Sequence, residues 1–153
     1  MFDDPTAQPE GDDAVALTAR TTRGVCRYLE NRGYAVLSEF SLANNRRADV
    51  IGLAGDGSFA IVEVKVSVAD FRADTKWPEY EDFCDRLYFA VPPDFPDELI
   101  PERTGLIIAD AWSADEIRPA PETGLHASRR KALTVRFARA AAERHQRLVD
   151  PKL

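Results

Sequence analysis

The run Phe59–Val66, FAIVEVKV, constrains the fold more than any other segment of the chain. Its density of β-branched residues predicts a strand. Period-two alternation sends Val62, Val64 and Val66 to one face and Glu63 and Lys65 to the other. The valines can anchor this strand in a core, whereas the acid and the base must be satisfied on the opposite side. Two turn signals precede it, Asn44-Asn45 and Gly55-Asp56-Gly57. They divide the preceding chain into further expected strands, Tyr34–Leu42 and Ala48–Leu53, giving a three-strand meander.

Helical patterns flank the meander. From Asp12 or Asp13, suited to N-capping, Val15, Thr18, Thr22, Val25, Cys26 and Leu29 recur at helical spacing, and Gly33 suits the residue just past the helix end. Ser67-x-x-Asp70 has the form of a capping box and opens a helix directly after the third strand. That helix, which carries Phe71, should break or bend at Trp77-Pro78, because proline disfavours helix at the residue before it. A second helical piece is expected over Tyr80–Asp85. Leu87–Val91 and Gly105–Ala109 are short apolar runs expected to be buried strands, and Ile117 marks a short edge strand. A long helix over Leu125–Leu148 closes the chain, its apolar side including Leu133, Phe137, Ala140, Ala141 and Leu148. The order describes an α/β fold with a mixed sheet flanked by helices.

The chain has 153 residues, 44% of them apolar and 30% charged, which suits one soluble globular domain. Residues 1–11 read as a disordered lead-in and 12–153 as the domain. No apolar run approaches the roughly 18–20 residues needed to cross a bilayer, and the acidic start lacks the features of a secretory signal. Cys26 and Cys84 show no metal-type spacing and are expected to be reduced thiols, which points to the cytoplasm. Net charge is −6, yet residues 126–153 carry eight Lys/Arg against Glu143 and Asp150, leaving −12 on the remainder. That basic helix either faces phosphates or pairs with the acidic body.

The chemistry lies between Glu39 and Lys65. A hairpin symmetric about Asp56 sets Asp49 directly across from Glu63, and one symmetric about Asn44 sets Glu39 across from Asp49. The three carboxylates would then form a row over neighbouring strands, with Lys65 one step along; a one-residue slip in either register would break it. Like charges so placed need a counter-charge or a metal. Mg²⁺ takes one or two carboxylates with waters and phosphate oxygens. The alternative is a polar sheet face in which the acids pair with Lys65, Arg46 and Arg47.

At these residues the chain resembles the PD-(D/E)XK nuclease superfamily, with an acid on one strand and (D/E)-x-K on the next; Ala48 stands where the name has proline. The stretches Asn45–Val50, Ile61–Lys65, Ser67–Asp74, Lys76-Trp77-Pro78, Cys84–Val91 and Arg129–Leu133 resemble the MmcB-like family of DNA-repair endonuclease-like proteins. The resemblance implies a restriction-endonuclease-like fold and a Mg²⁺ ion, with Mn²⁺ as a substitute, held by Asp49, Glu63 and the Val64 carbonyl. Lys65 would position or deprotonate the attacking water, and Glu39 would be an outer ligand, with Glu30 on the first helix as its competitor. Damaged or branched DNA is the implied substrate, and work as a homodimer or beside a repair protein is left open, as is a catalytically silent module that binds DNA or a partner. Arg46, Arg47, Lys76, Trp77, Arg129, Arg130 and Lys131 are the candidate nucleic-acid contacts. For Trp77 the alternative is an aromatic pinning a bent helix, and for Arg46 and Arg47 ordinary turn charges.

Overall fold

The computed structural model describes residues 11–152. Most of the expected lead-in lies outside the described residues, but Gly11 already belongs to the first helix, α1 (Gly11–Asn31). Asp12 and Asp13 sit in its first turn, where the helix dipole favours negative charge. It ends as expected: Gly33 has φ of 87°, and the Tyr34 N–H turns back to the Leu29 carbonyl at 3.0 Å. The expected face is buried in its C-terminal half, through Val25, Leu29 and the half-buried Cys26, but not at its start. Thr21, Gly24, Val25 and Leu29 are buried, while Val15 is 70% exposed. Thr21 and Gly24 add small residues to this apolar face, and Gly24 lets the helix come close to the backbone at Asp110.

Gly24 makes that approach possible. A Cβ added there would lie 1.9 Å from the Asp110 carbonyl oxygen, which belongs to backbone and has little room to retreat. Gly24→Ala is expected to destabilise the protein by about 1–3 kcal/mol despite alanine's better helix propensity. A lower urea midpoint with unchanged slope would display it.

The sheet contains β1 (Ala35–Ser41), β2 (Arg47–Leu53), β3 (Phe59–Val64), β4 (Arg86–Val91), β5 (Gly105–Ala109) and β6 (Ala114–Arg118), arranged in that order across six strands. The β1–β2, β2–β3 and β5–β6 pairs are antiparallel, and β3–β4 and β4–β5 are parallel. A parallel neighbour demands a crossover. Between β3 and β4 this is α2 (Val68–Ala73), capped by Ser67, followed by a 3₁₀ segment Trp77–Phe83. That segment replaces the helical piece expected over Tyr80–Asp85, because Pro78 is favoured at a helix start rather than inside one. A last helix, α3 (Ala127–Val149), closes the chain; Leu133 and Phe137 are buried, but Leu148, expected on the apolar side, is 81% exposed.

Both hairpin registers follow the symmetry read from the turns. Leu37 pairs with Ile51 and Phe40 with Ala48 in the first hairpin, and Val50 pairs with Val62 and Ile51 with Ile61 in the second. One face, with Val50, Val62, Val64 and Ile107, packs under Val25 and Leu29 of α1. The other packs Phe40, Phe59 and Ile61 against Leu133 and Phe137 of α3. Farther along that second face, Phe89 lies beneath Phe71 and Trp77, with ring centroids 5.5 and 5.4 Å away. Glu63 lies on β3 after Ile61 and across from Phe89, at the seam between these two covered regions.

Asp85, immediately before β4, ties the sheet to α3. Its carboxylate accepts from the Phe59 and Leu125 N–H groups at 2.7 and 3.0 Å, and from both terminal nitrogens of Arg130 at 2.6 and 2.8 Å. The side chain is 3% exposed. The Arg130 guanidinium holds it well below the usual carboxylate range, at about 2, against the opposing effect of burial.

Candidate active site

The β2–β3 ladder stops short of Asp49 and Glu63, and the two side chains take over from it. Glu63 Oε1 accepts from the Asp49 N–H at 3.1 Å, and Asp49 Oδ2 accepts from the Val64 N–H at 2.8 Å. Each carboxylate thus satisfies a donor on the neighbouring strand, and the pair is fixed by backbone rather than by flexible contacts. Glu63 is 4% exposed. Burial, and after it the Asp49 charge, pushes its carboxyl up to about 9; burial also raises Asp49, opposed by the Val64 N–H and then by Lys65. Two acids so placed resist ionising together, which favours either a shared proton or a cation.

Lys65 is the next residue on the same face. Its ammonium lies 2.8 Å from Asp74 Oδ2, both side chains being largely shielded. Burial works against the Asp74 charge, but the hydrogen bond and charge of Lys65 together with the Lys76 and Trp77 N–H groups outweigh it, and the carboxyl is lowered. Asp74 is a polar partner that the residue pattern did not single out. The signal was nevertheless present: a capped helix starting at Ser67 and stopped before Pro78 is short enough to bring its end back beside the strand it left. Tyr80 closes the wall of the site, its hydroxyl donating to the Arg47 carbonyl at 2.9 Å. Burial, then the charges of Glu63 and Asp49, raise this phenol above its ordinary range.

Glu39 does not join a carboxylate row. The β1–β2 ladder skips the Glu39–Asp49 position, and Glu39 has φ of 49° and an exposed side chain. This local reversal is the reason: pairing is kept on both sides, but period-two direction is lost at the kink. Phe40 consequently turns into the α3 core. Glu30 does not replace it, since it is exposed on α1, which covers the opposite face of the sheet. Among the described residues, no three His, Cys, Asp or Glu side chains converge closely enough to hold a metal ion.

The proposed contact residues divide. Arg47, Lys76 and Lys131 are exposed. Arg46 pairs with Glu79 at 2.7 Å. Trp77 is half-buried, edge-on to Phe89 with the Arg103 guanidinium 4.6 Å from its ring centroid, which is the pinning role. Arg129 donates to the Asp82 carbonyl and covers the Phe83 ring. Arg130 is committed to Asp85, the Gly57 carbonyl and the Leu125 carbonyl, and so holds the fold rather than presenting a free guanidinium.

Residues 5–152 match the family model of the MmcB-like DNA repair proteins. The chain belongs to this family. The match spans both hairpins, the Asp49–Glu63 pair and α3, so it covers the whole arrangement described above. No curated protein matches the chain. Among solved structures, SPO1766, a protein of unknown function from Silicibacter pomeroyi, is 44% identical, with a TM-score of 0.85 over 95% of this chain and 94% of that one. An MmcB-like protein of this kind is associated by family with DNA repair, and no helix among the described residues is long and apolar enough to cross a membrane.

The acid pair also governs stability. Glu63 has its carboxyl raised in the fold above its ordinary 4.5, so its contribution is most favourable below about pH 4.5 and is lost as pH rises toward about 9. Glu63→Gln keeps an oxygen for the Asp49 N–H and removes the charge. The variant is expected to be more stable than the wild type in EDTA above pH 5, with the gap widening by up to about 1.4 kcal/mol per pH unit. Thermal unfolding of the two proteins between pH 5 and 9 would show the divergence; parallel curves would refute it.

Proposed function

We propose that this MmcB-like protein is a Mg²⁺-dependent phosphodiester hydrolase acting on DNA, built on a restriction-endonuclease-like PD-(D/E)XK fold. The observation that carries the reading is the backbone-locked pair of carboxylates, half-buried Asp49 and buried Glu63, followed on the same face by Lys65. Nothing in core packing calls for two acids to be held together at such cost, whereas a divalent cation relieves it.

The donor set fits a hard cation: Asp49 and Glu63 offer carboxylate oxygens, and the carbonyl of Val64 is the further candidate ligand. Bound there, Mg²⁺ or Mn²⁺ would supply Lewis-acid polarisation of a phosphate oxygen and favour ionised water at neutral pH. The protein's own groups do the rest. Asp49 and Glu63 fix the ligand positions through bonds to neighbouring strands, which limits reorganisation during reaction. Lys65 would hold the attacking water or offset charge developing on the phosphoryl oxygens. Asp74 orients that ammonium. Tyr80 shields the acids from bulk water on one side.

A second reading is a catalytically silent module that binds DNA or a repair partner. The Lys65–Asp74 ion pair favours it to the extent that it restrains the lysine. Cleavage of nicked, mismatched, branched and single-stranded DNA in Mg²⁺ or Mn²⁺ tests the two. Metal-dependent cleavage that stops in EDTA and in Asp49→Asn supports the hydrolase. No cleavage of any substrate, with DNA binding intact, supports the module.

A further inference from the structure

A groove of about 880 Å³ runs between α3 and the end of β1, on the same side of the sheet as Asp49 and Glu63. Its floor is apolar, with Phe40 and Leu133, and its rim carries Arg136, Arg139, Arg144 and Arg147. Phe40 pairs across the ladder with Ala48, the residue before Asp49, so the floor of the groove adjoins the strand that carries this acid. The acidic groups facing it are Glu39 and Glu143.

We infer that this groove holds one phosphodiester backbone of a DNA substrate, with Arg136 and Arg147 as its principal phosphate contacts. The inference rests on DNA being what the proposed active site acts upon.

The acidic body does not neutralise this helix. Among the described residues, the one α3 cation paired with an acid of the body is Arg130, on Asp85. Arg139 is 3.7 Å from Glu143 of the same helix, and both side chains are well exposed. Arg144 donates to the Ser38 and Glu39 carbonyls at 2.6 and 2.9 Å, which fixes its position and leaves its charge uncompensated. Arg136 and Arg147 are exposed and form no ion pair among the described residues. Positions 136, 139/140, 143/144 and 147 follow one helical stripe, so these cations are aligned rather than scattered. From 129 to 147 the stripe spans roughly 27 Å at the α-helical rise, enough to follow several successive phosphates. Guanidinium forks suit phosphate oxygens, and a protein of net charge −6 gains little from concentrating them here without an anionic partner.

The test is fluorescence anisotropy of a labelled 20-nucleotide single strand and of its duplex, in EDTA, over a range of salt. Arg136→Ala/Arg147→Ala removes two exposed side chains that carry no fold contact; Arg20→Ala/Arg23→Ala removes equal charge from α1 on the other side of the sheet. The α3 double variant should bind DNA about tenfold more weakly. Its slope of log affinity against log salt should be shallower by about 1.8 on duplex or about 1.4 on single strand. The α1 variant should stay near the wild type. The tighter-binding form identifies the backbone as that of a single strand or of a duplex. Wild-type affinity in the α3 variant overturns the inference, as does an equal loss in the α1 variant. So does an α3-dependent affinity for anionic phospholipid vesicles that leaves DNA binding untouched. Binding that depends on these arginines without any metal-dependent cleavage would sink the hydrolase and leave the groove standing. Cleavage with unaltered binding in the α3 variant would do the reverse.

Discussion

Replacing Arg130 by alanine is expected to destabilise the protein by about 3–5 kcal/mol, the usual cost of leaving a buried charge without its partner. Asp85 would keep its bonds from the Phe59 and Leu125 N–H groups but lose both guanidinium contacts in a place where its side chain is 3% exposed. The Gly57 and Leu125 carbonyls would also lose a donor. For a protein of this size such a loss corresponds to a fall in Tm of roughly 10 °C or more. The pH dependence follows from the direction of the Asp85 shift. Its carboxyl is lowered from 3.8 to about 2, so the pair contributes stability above pH 3.8 that disappears as pH falls toward 2. The deficit of Arg130→Ala should therefore be large at pH 7 and shrink in acid. Adding Asp85→Asn should recover part of it at neutral pH by removing the orphaned charge. A loss confined to DNA binding, with Tm unchanged, would mean that Arg130 faces a ligand after all.

Asp49→Asn is expected to abolish metal-dependent cleavage, by at least about 10³-fold or about 4 kcal/mol of transition-state stabilisation. Asparagine retains an oxygen for the Val64 N–H, so the strand contact survives. Removing the charge next to Glu63 also relieves the repulsion that raises the Glu63 carboxyl. Lost activity should accordingly come with equal or higher stability in EDTA. In the wild type, Mg²⁺ should raise Tm; in the variant that increment should shrink or vanish. Cleavage that survives in Asp49→Asn would remove this residue from the site, whatever else remained.

Much of the arrangement is legible in the residues because it depends on short-range rules. Gly-rich and Asn-Asn turns fixed the symmetry of both hairpins, and period-two alternation put Glu63 and Lys65 on one face. Both follow from chain geometry within about a dozen residues. Ser67 likewise set the start of α2, because a cap acts locally; the helix ends at Ala73, earlier than the expected break at Trp77-Pro78, and Pro78 instead opens the 3₁₀ segment. Glu39 was misplaced by the same reasoning. Its alternation presumed an uninterrupted strand, and a left-handed residue in the middle reverses side-chain direction while leaving the pairing register intact.

The sequence by itself determined the order of elements, the two registers and the juxtaposition of Asp49 with Glu63. It could not decide what each charge does once the layers pack. Arg130 and Arg136 lie on one basic helix and look alike as residues; one is locked onto Asp85 and the other lines an open groove. Asp74 and Asp70 lie on one short segment, yet the former meets Lys65. These outcomes depend on contacts between residues far apart in the chain, and on which side chains lose their water when helix and sheet close together. Only the tertiary structure settles that, because burial and charge pairing are properties of the packed layers and not of any local stretch.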